Sequence, residues 1–457
     1  MPFLDDSIRA AQAAVEQKFL FRKIGLPFDY ASDPEEFPSK SFATAKEARS
    51  NLPNPMGIGG GYAWTCRNHS LLFDAYLLRI ETGIESPSDE QILDRLIGGL
   101  IRLDTVAPKS FLVSGLTPDG RGFYAHTNRE NHAAWAFAIN RGITTAAISP
   151  ESQEKFRSIA GKWMDRLRRE KFHLHGVDGK PVPNGDISLP DADCGPFLLG
   201  MLLVAARATG QEKDYDAYAA MAEENSRSRL APLPAEARGE SESLWRQVML
   251  SIVARHDPEP ERAELAKLRM KENAEAAAKN IGEWKRWDNS LVDAPVDLNW
   301  RSFPRKPLEE SPLGFEPPES WARLDKEKHI ENALSAMYTV LLTEDAETSE
   351  PLAPEMEECL SEIPWDAVVG LTALAPVVGI HARGVELNLW DKTLYDTRRE
   401  SPASETSFVA KFLEPDYDDD NPDKAGHMDR PAAKRHAEGQ GGKPDGQGKK
   451  KRRRRRR

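Results

Sequence analysis

Seven side chains that can carry charge, protons or hydrogen bonds fall within nine positions: Tyr124, His126, Asn128, Arg129, Glu130, Asn131 and His132. They lie in SGLTPDGRGFYAHTNRENHAAWAF (114–137), between an Asp-Gly turn and an apolar run. Two chemistries fit these types. Hydrolysis of a glycosidic bond needs one carboxyl group to protonate the leaving oxygen and a second to activate water or attack carbon. Glu130, at the start of the apolar run, is the candidate acid, with Asp119, Asp186, Asp191 and Asp193 as candidate partners. Elimination at a uronic acid instead needs a cation or amide against the sugar carboxylate and a Tyr or His to take the C5 proton. Tyr124, His126, Asn128 and Arg129 supply that set, and strand alternation would turn Tyr124, His126 and Asn128 to one side.

Each candidate also has a structural use. Glu130 can be a first-turn acid favoured by the helix dipole. Asp193 in DADC reads as an ordinary N-cap, while Asp191 and Asp186 are harder to assign to turns alone. Loop polar groups such as His126 and His132 commonly bond their neighbours. His173 and His175 are too few for a closed metal site, so no metal or cofactor is expected.

Further candidates flank this core. GGGYAWTCRNH (59–69) lacks the phosphate-loop pattern. It reads as a rim loop with Tyr62 and Trp64 above a cleft, and Arg67 and Asn68 opening the next helix. DLNWRSFPRKP (297–307) places Trp300 and Arg301 in a long loop, against a sugar ring or as a pin to the body.

The elements that must position these residues are mostly helices. LLFDAYLLRIETG stops at Gly83, and Ser88 then caps DEQILDRLIGGLIRL. NHAAWAFAINRG, CGPFLLGMLLVAARATG, ESLWRQVMLSIVARH, EKHIENALSAMYTVLLTED and WDAVVGLTALAPVVGI continue an apolar series, with a further helix over 5–20. Charged amphipathic helices alternate with them. All-apolar helices sit inside and amphipathic ones outside, so the expected class is all-α. KSFLVSGLTPDGRGFYAH and KFHLHGVDGKPVPNGDIS read as short extended pieces around Asp-Gly turns.

This alternation, with GLTPDGRGFYAHTNRENHAAWAFAINRGI inside it, resembles the six-hairpin glycosidase-like superfamily of (α/α)6 toroids. The matching elements are Asp119-Gly120, Tyr124 and Glu130-Asn131, and then Asn184-Gly185-Asp186 in GKPVPNGDIS. The resemblance implies an (α/α)6 toroid of helical hairpins with short β-hairpin rim loops over residues 1–400. It implies an oligo- or polysaccharide substrate and a glycoside hydrolase with Glu130 as acid. A polysaccharide lyase or a non-catalytic glycan-binding scaffold are its alternatives.

Composition bounds the rest. The chain has 457 residues, 39% hydrophobic and 30% charged, with net charge −11. The run Lys449–Arg457 carries +9, leaving −20 on the remainder, a poor surface for gripping nucleic acid. Residues 401–457 lack apolar periodicity and are expected to be a disordered tail whose basic end can contact polyanions. No apolar run reaches the roughly 18 residues of a membrane span. Asp5 and Asp6 stand where a secretory leader would be basic, so a cytoplasmic location is expected. Three distant cysteines argue against a disulfide framework.

Overall fold

The computed structural model describes residues 4–31, 42–52, 65–234 and 243–390, apart from 22, 51, 308, 312 and 313. Tyr62, Trp64 and the Lys449–Arg457 run lie outside the described residues, as does the expected tail from 401 onward. The chain divides into units Met1–Arg399 and Glu400–Arg457, and all the described residues belong to the first.

Of the described residues 66% are helical and 4% are in strands, so the fold is all-α. The helices in chain order are α1 (Leu4–Ala14), α2 (Ala45–Arg49), α3 (Thr65–Thr82), α4 (Asp89–Thr105), α5 (Arg129–Gly142) and α6 (Pro150–Arg169). Then come α7 (Gly195–Thr209), α8 (Glu212–Glu223), α9 (Ser226–Arg229), α10 (Ser243–His256) and α11 (Pro260–Ala277). The last are α12 (Ala322–Leu341), α13 (Ala346–Ser349), α14 (Ala353–Glu362) and α15 (Leu371–Glu386).

Six of these, α3, α5, α7, α10, α12 and α15, are buried along most of their length, as their continuous apolar runs require. Each packs on the next in chain order, and α15 packs back on α3. Hydrogen bonds show that they run in the same direction. Near their N-termini, Cys66 Sγ donates to Asn131 O (3.4 Å), Arg129 reaches Asp193, and Glu327 accepts from Gly370 N. In their C-terminal halves, Asp74 of α3 accepts from Arg141 of α5 (2.7 Å), Tyr338 of α12 (2.6 Å) and Arg383 of α15 (2.5 Å). The amphipathic helices α4, α6, α8 and α11 pack against this set.

Turn chemistry behaves as its residues dictate. Ser149 caps α6 by accepting from Ser152 N, and Gly210 ends α7 in the left-handed conformation (φ +62°). Ser88 stands at the N-cap of α4, but its hydroxyl bonds Ser86 rather than the helix, a departure from the expected cap.

Strand content differs from expectation. The second extended piece forms an antiparallel pair, His173–His175 with Pro181–Asp186, around Asp178-Gly179. The first, 109–126, forms no strand; only its Asp119-Gly120 turn is made, with Asp119 Oδ1 accepting from Thr117 Oγ1 and Arg121 N. A two-residue pair, Leu20–Phe21 with Leu26–Pro27, was not foreseen from the sequence. The proline-rich excursion before α12 is ordered around Phe303, Phe315 and Trp321, whose rings meet within 5.5–5.8 Å.

Candidate active site

Asn128 begins the local structure. Its extended backbone leaves the side chain free to accept from Asn131 N (2.8 Å), which fixes the first turn of α5. Arg129 and Glu130 follow at once. Arg129 Nε donates to Glu130 Oε1 (2.9 Å) and Nη1 to Asp193 Oδ2 (2.6 Å), while its guanidinium lies over the Phe197 ring at 5.1 Å. One cation thus joins the N-termini of α5 and α7 and holds a carboxylate on each side. Burial works against the charge of Arg129, but Asp193 and Glu130 outweigh it and raise its pKa above the usual arginine value.

The α7 side is built from the DADC turn. Asp191 Oδ1 accepts from Asp193 N (3.1 Å) and Cys194 N (2.7 Å). Asp191 is therefore the turn's cap, and Asp193, expected to fill that role, is released to pair with Arg129. Two buried arginines hold the preceding loop by its carbonyls: Arg229 Nη1 donates to Ser188 O and Leu189 O, and Arg246 Nε to Ala192 O (2.7 Å). Cys194 Sγ donates to Asp186 O (3.2 Å), and burial, then Asp191, push its thiol up to about 11.

The other predicted residues divide clearly. Asp186 accepts from Ser188 N and Ser188 Oγ and pairs with His173 Nδ1 at 3.1 Å, so its carboxyl is committed to its own hairpin and loop. Asp119 is committed to its turn; burial favours its neutral form, but the Thr117 and Arg121 bonds prevail and lower its pKa. Tyr124 is fully buried, with its hydroxyl donating to Leu52 O (3.4 Å). Because this stretch is not a strand, Tyr124 and His126 do not share a face by alternation: Tyr124 is buried and His126 half-buried. His132 is also interior: its Nδ1 accepts from Trp163 Nε1 (2.9 Å), and burial, then Arg166, depress its pKa to about 3. Trp300 is buried, and Arg301 makes a two-pronged bond to Glu47 (2.8 and 2.6 Å) while stacking on Trp300. The pair pins its loop to α2. Arg67, Asn68 and Asn131 lie on the N-terminal turns of α3 and α5, where Cys66 touches Asn131 O.

One titratable cluster was missed. Glu327 of α12, 4% exposed, accepts from Val369 N (2.9 Å) and Gly370 N (2.8 Å). Residues 29–31 are stitched to the same stretch: Ala31 N donates to Val369 O, and Leu371 N to Asp29 O. Burial raises Glu327 to about 7 against the opposing pull of the two N–H groups and Arg323. Burial, then Asp29 and Glu327, raise Tyr30 well above the usual phenol value. The available sequence signal was an acid at the start of an apolar helical stretch, EKHIENALSAMYTVLL, with a second acid, Glu331, one turn on.

The chain matches no protein-family model and no curated protein.

Proposed function

We propose that the described body is an (α/α)6 toroid and that it is a glycoside hydrolase acting at the end where the N-termini of the six apolar helices gather. Support for the toroid is the closed order of packing, α3 through α15 and back, with amphipathic helices against it. The observation that carries the activity is the bridge Glu130–Arg129–Asp193. Each carboxylate bonds one nitrogen of the same guanidinium, so the bonded oxygens lie at most about 8 Å apart, below the upper limit for paired glycosidase carboxylates.

The two acids are not equivalent. Glu130 has 17% of its side chain exposed and Asp193 53%. The role of proton donor to the leaving oxygen is given to Glu130, the less exposed of the two. Asp193 has the shorter bond to Arg129 and the greater access to water, which suits a base that activates a water molecule. The elimination reading has less support, because Tyr124, one of its two candidate bases, is buried with its hydroxyl engaged, which leaves only His126.

The test is turnover of a broad glycan panel by the wild-type chain, Glu130→Gln and Asp193→Asn. Hydrolysis with a loss of about 10²–10⁴-fold in both variants, at unchanged melting temperature, is expected. Retained turnover in Glu130→Gln would overturn the assignment, and a new ultraviolet-absorbing double bond in the product would select elimination instead.

A further inference from the structure

The loop that brings Asp193 to Arg129 has no apolar anchor of its own. Between the buried Ile187 and Cys194, the side chains of Leu189, Pro190, Asp191 and Asp193 are exposed, and those of Ser188 and Ala192 are half-buried. Its internal bonds close a turn: Asp191 Oδ1 accepts from Asp193 N and Cys194 N, and Asp191 O from Gly195 N (2.9 Å). These bonds fix the shape of the loop and leave its place open. A loop that buries no side chain is placed by the partners of its backbone groups.

Two arginines are those partners. Among the described residues, every hydrogen bond that 188–192 makes beyond residues 186–195 comes from Arg229 or Arg246. Arg229, 3% exposed, donates Nη1 to Ser188 O (3.2 Å) and Leu189 O (3.1 Å), and Nε to Glu224 O (3.3 Å). Arg246, 2% exposed, donates Nε to Ala192 O (2.7 Å) and Nη2 to Ala231 O (3.3 Å). That last bond closes a circuit, because residue 231 stands two beyond Arg229. The backbone completes it: a Cβ on Gly195 would lie 2.4 Å from Arg229 O, so the first residue of α7 seats directly on the end of α9. The three bonds of Arg229 all end on carbonyls, although a buried cation with no carboxylate beside it is costly. An apolar side chain would hold the loop down at less cost. A guanidinium fork set across successive carbonyls also fixes its direction. Direction matters here because Asp193 Oδ2 sits 2.6 Å from Arg129 Nη1. A misplacement of about 1 Å at a reacting group costs about 10²-fold in rate.

We propose that Arg229 and Arg246 are positioning residues for the hydrolysis: they act on the 188–192 backbone and so hold the Asp193 carboxylate beside Arg129 and Glu130. The inference rests on the hydrolase reading and adds the residues that set its geometry.

The test uses the full chain with Arg229→Met, Arg246→Met and Arg246→Lys, assayed on a glycan that the wild type hydrolyses, with hydrogen exchange followed by mass spectrometry. Methionine keeps the packing of the stem and removes the fork; lysine carries one nitrogen in place of the fork. In the methionine variants kcat falls about 10–100-fold while KM stays within about twofold, and Arg246→Lys recovers part of the loss. Exchange rises in 188–195 and stays at the wild-type rate in α3, α12 and α15. Two results would overturn the positioning role alone: kcat unchanged where exchange in 188–195 has risen, or kcat lowered only in step with exchange across the whole body and not recovered by lysine. Should the methionine variants fail to fold, Gly195→Ala pushes on the Arg229 backbone with both guanidiniums kept. A lowered kcat at unchanged KM is then expected, and an unchanged kcat overturns the proposal. A wild-type chain that hydrolyses no glycan removes the hydrolase reading and the positioning role together.

Discussion

Replacing Asp74 with alanine removes the one carboxylate shared by α3, α5, α12 and α15. Asp74 is fully buried and accepts from Arg383 Nη2, Arg141 Nε and Tyr338 Oη at 2.5–2.7 Å. Burial alone would raise its pKa, but Arg383 and Arg141 outweigh that and hold it below the usual value. The folded form therefore prefers the ionised carboxylate, and the interaction is present above about pH 4 and lost as pH falls through the lowered value. In Asp74→Ala, Arg141 retains Glu81, but Arg383, 2% exposed, keeps no carboxylate. Breaking a buried pair from one side costs about 3–5 kcal/mol. A body of this size unfolds with an entropy near 0.8 kcal/mol/K, so the melting temperature falls by about 4–6 °C. Calorimetry at pH 7 measures it. Adding Arg383→Met recovers part of the loss, because the orphaned charge goes and an apolar chain fills the space. A single variant melting within 1 °C of wild type would refute the claim that this cluster locks the four helices together.

Two further predictions concern pH. Burial raises Asp104 to about 7 against Lys162 and Arg166, so its ionisation opposes folding, and stability is lost as pH climbs from about 4 to 7. Asp104→Asn is therefore more stable than wild type by roughly 2–4 kcal/mol at pH 8, and chemical denaturation should show that advantage shrinking towards pH 4. Burial depresses His69 to about 4 and His132 and His381 to about 3, so these rings stay neutral in the fold and their contribution is lost as pH falls below about 6.5. Between pH 7 and about 4.5, Asp104 and Glu327 largely offset them. Below that the two acids are already protonated, and circular dichroism should show cooperative acid unfolding that His132→Phe moves to lower pH.

The helices were legible because each apolar run is long enough to show its 3.6-residue period, and the stops at Gly83 and Gly210 use a left-handed backbone that only glycine adopts freely. The Asp119-Gly120 and Asp178-Gly179 turns were legible for the same local reason. What was not legible depends on distant pairing. Asp193 and Asp191 are both plausible caps by type, and only the position of Arg129, 64 residues earlier, decides which is free. Trp300 and Arg301 look like ligand groups until Glu47, 254 residues away, claims the guanidinium. Glu327 reads as one more acid on a helix until the chain at 369–370 arrives to donate to it. Local residue types announced which groups could do chemistry; tertiary contacts chose among them.

The common direction of the apolar helices explains why the candidate site lies where it does. Helix dipoles that run together add at each end instead of cancelling, so one end gathers partial positive charge and the other partial negative. The negative end is answered by arginines in the last turns of five of the six helices: Arg79, Arg141, Arg207, Arg255 and Arg383. Four of them pair with carboxylates there: Arg79 with Asp89, Arg141 and Arg383 with Asp74, and Arg255 with Glu344. Charge at that end is consumed in holding helices together. The positive end has the opposite tolerance: it can keep Glu130, Asp193 and Glu327 near helix starts without a full complement of cations. Two carboxylates sharing one arginine would strain a neutral surface, but where helix N-termini converge the backbone N–H dipoles supply the missing positive potential. Two carboxylates close together are therefore tolerated best at the N-terminal end.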